Sequence, residues 1–261
     1  MHSTHVGQGV RILAAASIAT LVLALSPLGT VRAQAAAPGY SYAGQRSVNY
    51  FTGIWGYIQN TTVTLANTND HTGHWVGKTI FNPDGTVKQW MQTGNAIGHA
   101  GNKFFGNTWH YYLEYQDYTG GKDLPDLGVA TGTGNHEYVV WGDGTGGSDA
   151  FGVYYNTMVN FETGPNAGSP VWTSRLSELW TYQDAWGEVL NTTTTFEPMG
   201  NVCFGCTPFS SQFLDLGWHQ LDNSTTWGLW TPSYDPGTLQ TRVDPPYTYI
   251  RNSNYYNFTV D

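Results

Sequence analysis

The side chains best suited to catalysis in this sequence are one amide and one carboxylate. Gln92 lies in the segment Trp90-Met91-Gln92-Thr93-Gly94, near the end of a run of alternating residues, and Glu178 lies in a second such run, residues 176–183. On facing strands of one sheet, such an amide can stabilise an oxyanion while the carboxylate activates a water. This pair would suit the hydrolysis of a peptide bond. The alternative is that Gln92 pairs with a strand neighbour and that Glu178 faces solvent or Arg175.

Short alternating segments have to position these side chains. They are bounded by Gly, Asn, Asp and Pro, which is typical of antiparallel strands with one buried face, and helix-period patterns are almost absent. Asn82-Pro83-Asp84-Gly85 predicts a turn between two of the strands. We therefore predict an all-β fold, a two-sheet antiparallel sandwich of jelly-roll type. The predicted strands are residues 48–59, 62–66, 73–81, 86–92, 108–116, 137–141, 151–155, 158–162, 176–183, 188–196, 248–251 and 255–260, and the predicted loops are residues 120–134 and 142–147.

The first 33 residues have the layout of a secretory signal peptide. Arg11 provides a positive flank, residues 12–25 form an apolar run too short to span a membrane, and Val31-Arg32-Ala33 offers small residues for cleavage. We expect a secreted, extracellular protein with no membrane association after cleavage. Residues 34–200 are predicted to form the β-sandwich domain. Residues 201–261 are predicted to be a C-terminal extension that packs on the same sandwich.

The charge of the chain argues against a nucleic-acid partner. The full sequence has 10 Lys and Arg against 19 Asp and Glu, a formal net charge of −9 at pH 7. Removal of residues 1–33 takes away two arginines and no acid, so the mature chain would carry −11. Binding to nucleic acid needs a basic face that displaces counterions. We expect a monomer that does not bind nucleic acid.

Thiol and metal chemistry are both constrained by the sequence. Cys203 and Cys206 are the only cysteines, and in an exported chain we expect them to form a local disulfide. A zinc site would need two more ligands, and no partner pair is evident. His71 and His74 have HxxH spacing but lie on a turn and a strand, whereas the metalloprotease pattern needs a helix. We therefore predict no metal and no cofactor.

Carboxylate chemistry remains, and it admits a second class of function. The candidate acids lie amid many aromatic residues, and paired carboxylates in an aromatic cleft would suit glycoside hydrolysis. A secreted carbohydrate-active jelly roll, either a glycosidase or a lectin-like binder, is therefore an alternative, as is a non-catalytic surface β protein. The candidate acids are Glu114, Asp117, Glu137, Asp143, Asp149, Glu162, Glu178 and Glu188.

Five segments resemble, in order, landmarks of the eqolisin family of glutamic peptidases. They are Gly53-Ile54-Trp55-Gly56, His74-Trp75-Val76-Gly77, Met91-Gln92-Thr93-Gly94, Tyr111-Tyr112-Leu113-Glu114-Tyr115 and Ser177-Glu178-Leu179-Trp180-Thr181-Tyr182-Gln183-Asp184. Members of this family are secreted, acid-active β-sandwich enzymes. The resemblance implies an acid endopeptidase that acts on polypeptides, with Gln92 stabilising the oxyanion and Glu178 as general base. Trp75 is then expected to wall the cleft, and Glu114 to orient neighbouring groups.

The last of these segments departs from the family pattern at one position. The family has Glu directly before Trp, whereas Leu179 separates Glu178 from Trp180 in this chain. A strict alignment on Trp180 places Leu179 at the catalytic position. A one-residue shift or bulge is needed to restore Glu178, because a shift of one residue turns a side chain to the opposite face of a strand.

Overall fold

The described part of the chain is built from strands. The computed structural model describes residues 40–47, 50–60, 71–100, 103–130, 134–162, 169–190, 211–219, 227–229, 240–244, 249–251 and 258–260, which all fall in the compact unit Ala33–Asp261. These residues contain no helix. In chain order the strands are β1 (Tyr40–Arg46), β2 (Gly53–Asn60), β3 (His71–Phe81), β4 (Val87–Ala100), β5 (Lys103–Phe104), β6 (His110–Gln116), β7 (Lys122–Asp123), β8 (Asp126–Val129), β9 (Gly134–Asp149), β10 (Gly152–Phe161), β11 (Trp172–Leu176), β12 (Tyr182–Leu190), β13 (Ser211–His219), β14 (Trp227–Leu229), β15 (Gln240–Val243), β16 (Tyr249–Arg251) and β17 (Phe258–Val260).

The strands form two sheets. The first has the order β15-β1-β12-β3-β4-β6-β7, with β5 paired to β4 and β8 paired to β6. The second has the order β11-β10-β9-β2-β13-β17-β16, with β14 paired to β13. The strand pairs in the described residues are antiparallel. The predicted all-β, two-sheet antiparallel sandwich is therefore confirmed, and the jelly-roll topology stays a prediction.

Side chains along each strand alternate between an inward and an outward face. The inward side chains of the two sheets pack together and form the core. Val76, Met91 and Leu113 of the first sheet and Ile54 of the second are completely buried. Burying an aliphatic side chain of this size contributes roughly 1.5–3 kcal/mol. Because Met91 faces the core, Gln92 beside it on the same strand points to the outer face of the first sheet.

Two hairpin regions differ from the sequence prediction. Residues 142–147, predicted to be a loop, belong to β9, and Gly142, Gly146 and Gly147 pair with β10 on either side of a register shift. Backbone hydrogen bonds carry this pairing without large side chains, so residue types gave the wrong answer. The separate strands predicted at residues 151–155 and 158–162 form the single strand β10, with a register shift between Tyr155 and Thr157.

The predicted strand at residues 176–183 is wrong in its extent. β11 ends at Leu176 in the second sheet, and β12 begins at Tyr182 in the first. The residues between them form a turn that passes from one sheet to the other. Glu178 therefore lies in this connection rather than on a strand.

Strands near the C-terminus extend both sheets. β13 pairs with β2 in the second sheet, and β15 pairs with β1 in the first. The predicted signal peptide at residues 1–33, the predicted strand at residues 62–66 and the predicted disulfide between Cys203 and Cys206 lie outside the described residues.

A buried histidine makes stability depend on pH. His74 is fully buried with Nδ1 3.0 Å from Asn95 Oδ1, and burial lowers the pKa of its imidazole from about 6.5 to about 3. Between these two values the unfolded chain holds a proton at His74 that the folded chain lacks. This residue therefore lowers the free energy of unfolding as the pH falls from 6.5 towards 3.

Replacing this histidine tests the effect. We expect His74→Gln, which is neutral at every pH, to show a smaller fall in the free energy of unfolding between about pH 7 and pH 4 than the unaltered protein. Urea unfolding followed by tryptophan fluorescence measures both curves. The difference at about pH 8, where His74 is neutral in both states, sets the baseline. Parallel curves across the acid range would contradict the assignment.

Candidate active site

Gln92 is placed by the register of three neighbouring strands. On β4 it lies opposite Gly77 of β3 on one side and opposite Glu114 of β6 on the other. Its chain neighbours Met91 and Thr93 are completely buried in the core. Side chains on a strand alternate between faces, so Gln92 and Glu114 share the outer face of the first sheet.

A polar contact joins Gln92 to Glu114. Gln92 Nε2 donates to Glu114 Oε2 at 3.0 Å and makes a longer contact of 3.4 Å with the Tyr112 hydroxyl. Gln92 and Glu114 are both half-buried. The residue expected to orient its neighbours is thus the direct partner of the amide. An amide beside a carboxylate on a partly open face is an arrangement that can bind and polarise a carbonyl.

Two glycines of the sequence motifs are needed for this geometry. A Cβ on Gly77 would lie 2.9 Å from Gln92 Cβ, which is closer than real Cβ atoms approach. A Cβ on Gly94, which is opposite Trp75, would lie 1.8 Å from the His74 carbonyl oxygen. Glycine at both positions therefore lets β3 and β4 lie close together beside the amide.

Aromatic side chains cover the outer face on one side of Gln92. Trp75 is 7% exposed and packs in a small cluster with Ala96, Phe105 and Tyr112. It lies on the same face as Gln92, and its role as a wall of the cleft stays a prediction. In the other direction along β4 lies half-buried Trp90, with the Lys122 ammonium 5.2 Å from its ring centre.

This face carries a further acid, which is not one of the eight candidate acids. Asp184 of β12 lies opposite Gly77, so it belongs to the same row as Gln92. Its carboxylate is 2% exposed and accepts hydrogen bonds from Arg46 and from the Thr79 hydroxyl. These contacts engage both of its oxygens in structural bonds. The sequence alone would indicate the orientation of the Asp184 side chain only if β12 were known to begin at Tyr182.

Glu178 is not among the hydrogen-bond partners of Gln92. Its side chain is exposed in the turn between β11 and β12. The preceding residue, Ser177, donates its N–H to Gln89 Oε1 at 2.7 Å and ties the turn to β4. Gln89 precedes Gln92 by three residues, which is about 10 Å along a strand. The turn is therefore tied to β4 about 10 Å along the strand from the row that contains Gln92 and Glu114.

Exposed aromatic residues surround this turn. Tyr50 is 51% exposed and donates from its hydroxyl to the Tyr182 hydroxyl at 3.0 Å. This hydrogen bond is the main cause that raises the pKa of Tyr50 to about 12, and the nearby charge of Glu178 adds to it.

The described residues give little sign of a metal site. Among them, no group of three or more His, Cys, Asp or Glu side chains is arranged to hold a metal ion. The row around Gln92 offers an amide donor and carboxylates.

Among known proteins, similarity to this chain is found in solved structures. No family model and no curated protein matches the sequence. A crystal structure of Scytalido-glutamic peptidase with a peptide-based transition-state analogue is similar, at 12% identity and a TM-score of 0.46, covering 85% of this chain and 97% of that one. SCP-B, a member of the Eqolisin family of peptidases bound to the tripeptide Ala-Ile-His, is similar at 10% identity and a TM-score of 0.45, with the same coverage.

A third similar structure is Scytalido-glutamic peptidase with a transition-state analogue inhibitor, at 12% identity and a TM-score of 0.42, again covering 85% of this chain and 97% of that one. Two of these three structures are of a glutamic peptidase, and the third is of a member of the Eqolisin family of peptidases. Identities of 10–12% and TM-scores below 0.5 do not establish an activity, which depends on the residues of this chain.

The close approach of β3 to Gln92 can be tested with two alanine variants. We expect Gly77→Ala to push Gln92 away and break its contact with Glu114, because the added methyl group would lie 2.9 Å from Gln92 Cβ. Crystal structures or side-chain amide NMR signals of Gln92 would report the change. Gly73→Ala is the matched control on the same strand, where the nearest atom lies at 3.6 Å. An unchanged Gln92 position in Gly77→Ala would contradict the prediction.

Proposed function

We propose that this chain is a secreted acid endopeptidase in which Gln92 stabilises the oxyanion and a glutamate acts as general base. The contact of 3.0 Å between Gln92 Nε2 and Glu114 Oε2 on the outer face of the first sheet carries this proposal. It supports a preorganised donor beside a carboxylate, which is the arrangement that acyl transfer needs.

Gln92 can serve as the donor because a side-chain amide has two N–H groups. One of them is held by Glu114, which fixes the orientation of the amide. The other makes the longer contact of 3.4 Å to the Tyr112 hydroxyl. A substrate carbonyl that replaces this longer contact would receive a full hydrogen bond as its oxygen becomes negative. The hydrogen bond from Gln92 would then be stronger in the transition state than in the ground state.

Two glutamates compete for the role of general base. The family resemblance assigns it to Glu178, and the contact with Gln92 favours Glu114. A carboxylate has two oxygens and about four acceptor sites, so Glu114 can hold the Gln92 amide and a water together. Glu178 is exposed and ionisable, but the turn that carries it must move towards the row of Gln92 before they can share a water.

The reaction balances with one glutamate. The base takes a proton from the attacking water as the water oxygen bonds to the carbonyl carbon of the peptide bond. The carbonyl oxygen becomes negative and accepts a hydrogen bond from Gln92. The protonated base then gives this proton to the leaving amine as the C–N bond breaks. A carboxyl group with an ordinary pKa of about 4 is ionised enough to start this cycle in mild acid.

Export of the chain remains part of the proposal. The predicted signal peptide at residues 1–33 supports it, and a polypeptide in an acidic extracellular medium would be the substrate. Within the described residues, no helix is long and apolar enough to cross a membrane.

Three single variants test the mechanism on casein at about pH 3.5. We expect Gln92→Ala to lower kcat by about 10²–10³, the effect of removing one oxyanion donor. We expect Glu114→Gln to lower kcat by about 10²–10⁴, the effect of losing a general base, while Glu178→Gln keeps most of its activity. If Glu178→Gln loses activity and Glu114→Gln keeps it, the general base is Glu178, as the family resemblance implies.

Asp84→Asn serves as the matched control, because Asp84 is exposed in the turn between β3 and β4, where its carboxylate accepts from the Thr86 N–H. Circular dichroism and urea unfolding establish that each variant is folded. Full activity of Gln92→Ala would refute the proposal. Release of reducing sugars or binding to glycans, without proteolysis at any pH, would replace it with the carbohydrate-active alternative.

A further inference from the structure

A lysine is buried directly under the sheet that carries Gln92. Lys78 follows Gly77 on β3, and its side chain points into the sandwich with no exposed surface. Its Nζ donates to the Thr52 carbonyl at 2.9 Å and to the Leu179 carbonyl at 3.1 Å. One amine thus joins the first sheet, the start of β2 and the turn that carries Glu178.

Charged residues on the surrounding elements do not form a hydrogen bond or ion pair with Lys78 among the described contacts. Asp184 of β12 points to the outer face, where Arg46 and Thr79 bind it. Glu178 of the turn is exposed.

The remaining charges near Lys78 are also directed elsewhere. Asp143 of β9 is exposed and accepts from the N–H and hydroxyl of Thr145. Lys88 of β4 donates to the Ser177 hydroxyl at 3.3 Å. The residues directly opposite Lys78 are uncharged, Met91 on β4 and Gln183 on β12. An ammonium at Lys78 would therefore be buried without a carboxylate to balance it.

The Lys78 amine is covered by Leu179 and by the backbone at Gly142. A Cβ built on Gly142 would lie 2.7 Å from Leu179 Cδ1 and 3.3 Å from Lys78 Nζ, so Leu179 and the backbone at Gly142 close over the amine. Leu179 is half-buried, and its neighbours Glu178 and Trp180 are exposed. Movement of this turn would let water reach the amine without separating the strands of either sheet.

Protonation of the amine changes the balance between the closed and open turn. Burial lowers the pKa of Lys78 from about 10.5 to about 7. As the pH falls through this window, the unfolded chain, or a chain whose turn is open, binds a proton that the closed form does not. The closed form therefore loses stability relative to both, and the loss is complete below pH 7. Burying a cation without a partner is costly, because hydration is lost.

We propose that residues 177–180 are a proton-controlled latch, held shut by neutral Lys78 through the Leu179 carbonyl and released when the amine is protonated. In the open form the ammonium reaches water and the turn with Glu178 and Trp180 leaves its place over Lys78. The Thr52 carbonyl lies at the start of a central strand, so the turn is the part that moves. This proposal does not depend on peptidase activity.

Hydrogen exchange followed by mass spectrometry tests the latch. The reporters are the Ser177 amide, bonded to Gln89 Oε1, and the Thr181 amide, bonded to the Phe51 carbonyl. At about pH 5, we expect this segment to exchange at least about tenfold faster in the unaltered protein than in Lys78→Met, which has no buried charge. At about pH 9 the ratio of the two exchange rates should be smaller, because the closed form has lost only part of its stability there and neutral Lys78 keeps two hydrogen bonds that Met lacks.

Comparison of the two proteins at the same pH cancels the intrinsic pH dependence of exchange. Lys78→Gln gives a second test, since its amide can still donate hydrogen bonds but carries no charge at any pH. We expect it to slow exchange of the segment at about pH 5 relative to the unaltered protein, because it leaves no buried cation. It also keeps the test open if Lys78→Met fails to fold.

Two outcomes would overturn the proposal. One is a ratio of exchange rates between the unaltered protein and Lys78→Met that is the same at both pH values. Lys78 would then hold the turn independently of its protonation state. The other is slower exchange in the unaltered protein than in Lys78→Met at about pH 5. The peptide that spans Val139–Trp141, in the middle of β9, is the internal control and should exchange equally in all three proteins.

Discussion

The antiparallel register of β3, β4 and β6 is the constraint on which the candidate site depends. It aligns Gly77, Gln92 and Glu114 in one row across the sheet. A slip of one residue would turn Gln92 into the core and bring Met91 or Thr93 to the surface. Because both of these neighbours are completely buried, the free energy that stabilises the sandwich also fixes the amide beside the carboxylate.

Much of this arrangement could be predicted from alternation along the chain. Residues 86–92 and 108–116 were predicted as strands, and the structure has β4 and β6 over most of these ranges. Alternation indicates which residues share a face of one strand. It does not indicate which strands are neighbours, so the contact between Gln92 and Glu114 could not be predicted from residue types. The family resemblance only placed Glu114 near the site.

The turn around Glu178 shows where alternation fails. Residues 176–183 alternate as a strand would, yet the chain crosses there from the second sheet to the first. Hydrogen bonds to distant residues fix this crossing: Ser177 bonds to Gln89, and Thr181 exchanges backbone bonds with Phe51. These partners are remote in sequence, so local patterns carry no sign of them. The extra residue between Glu178 and Trp180 in the sequence is the one visible hint.

The polar interior at this end of the sandwich follows from the same crossing. A chain that passes from sheet to sheet beside the core brings backbone groups that strand pairing cannot satisfy, and buried backbone groups need partners. Lys78 bonds the carbonyls of Thr52 and Leu179, and Gln183 Nε2 bonds the carbonyls of Phe51 and Thr181.

Apolar residues at positions 78 and 183 would leave those carbonyls unpaired, at a cost of about 1–3 kcal/mol each. Lysine solves the problem at high pH and creates another in acid, where its charge has no carboxylate beside it. The Gln183 amide oxygen, which has no hydrogen-bond partner in the described residues, does not remove that charge. The stability of this end of the molecule therefore depends on the protonation state of one amine, which follows Gly77 on β3 and lies opposite Met91, under the row of Gln92 and Glu114.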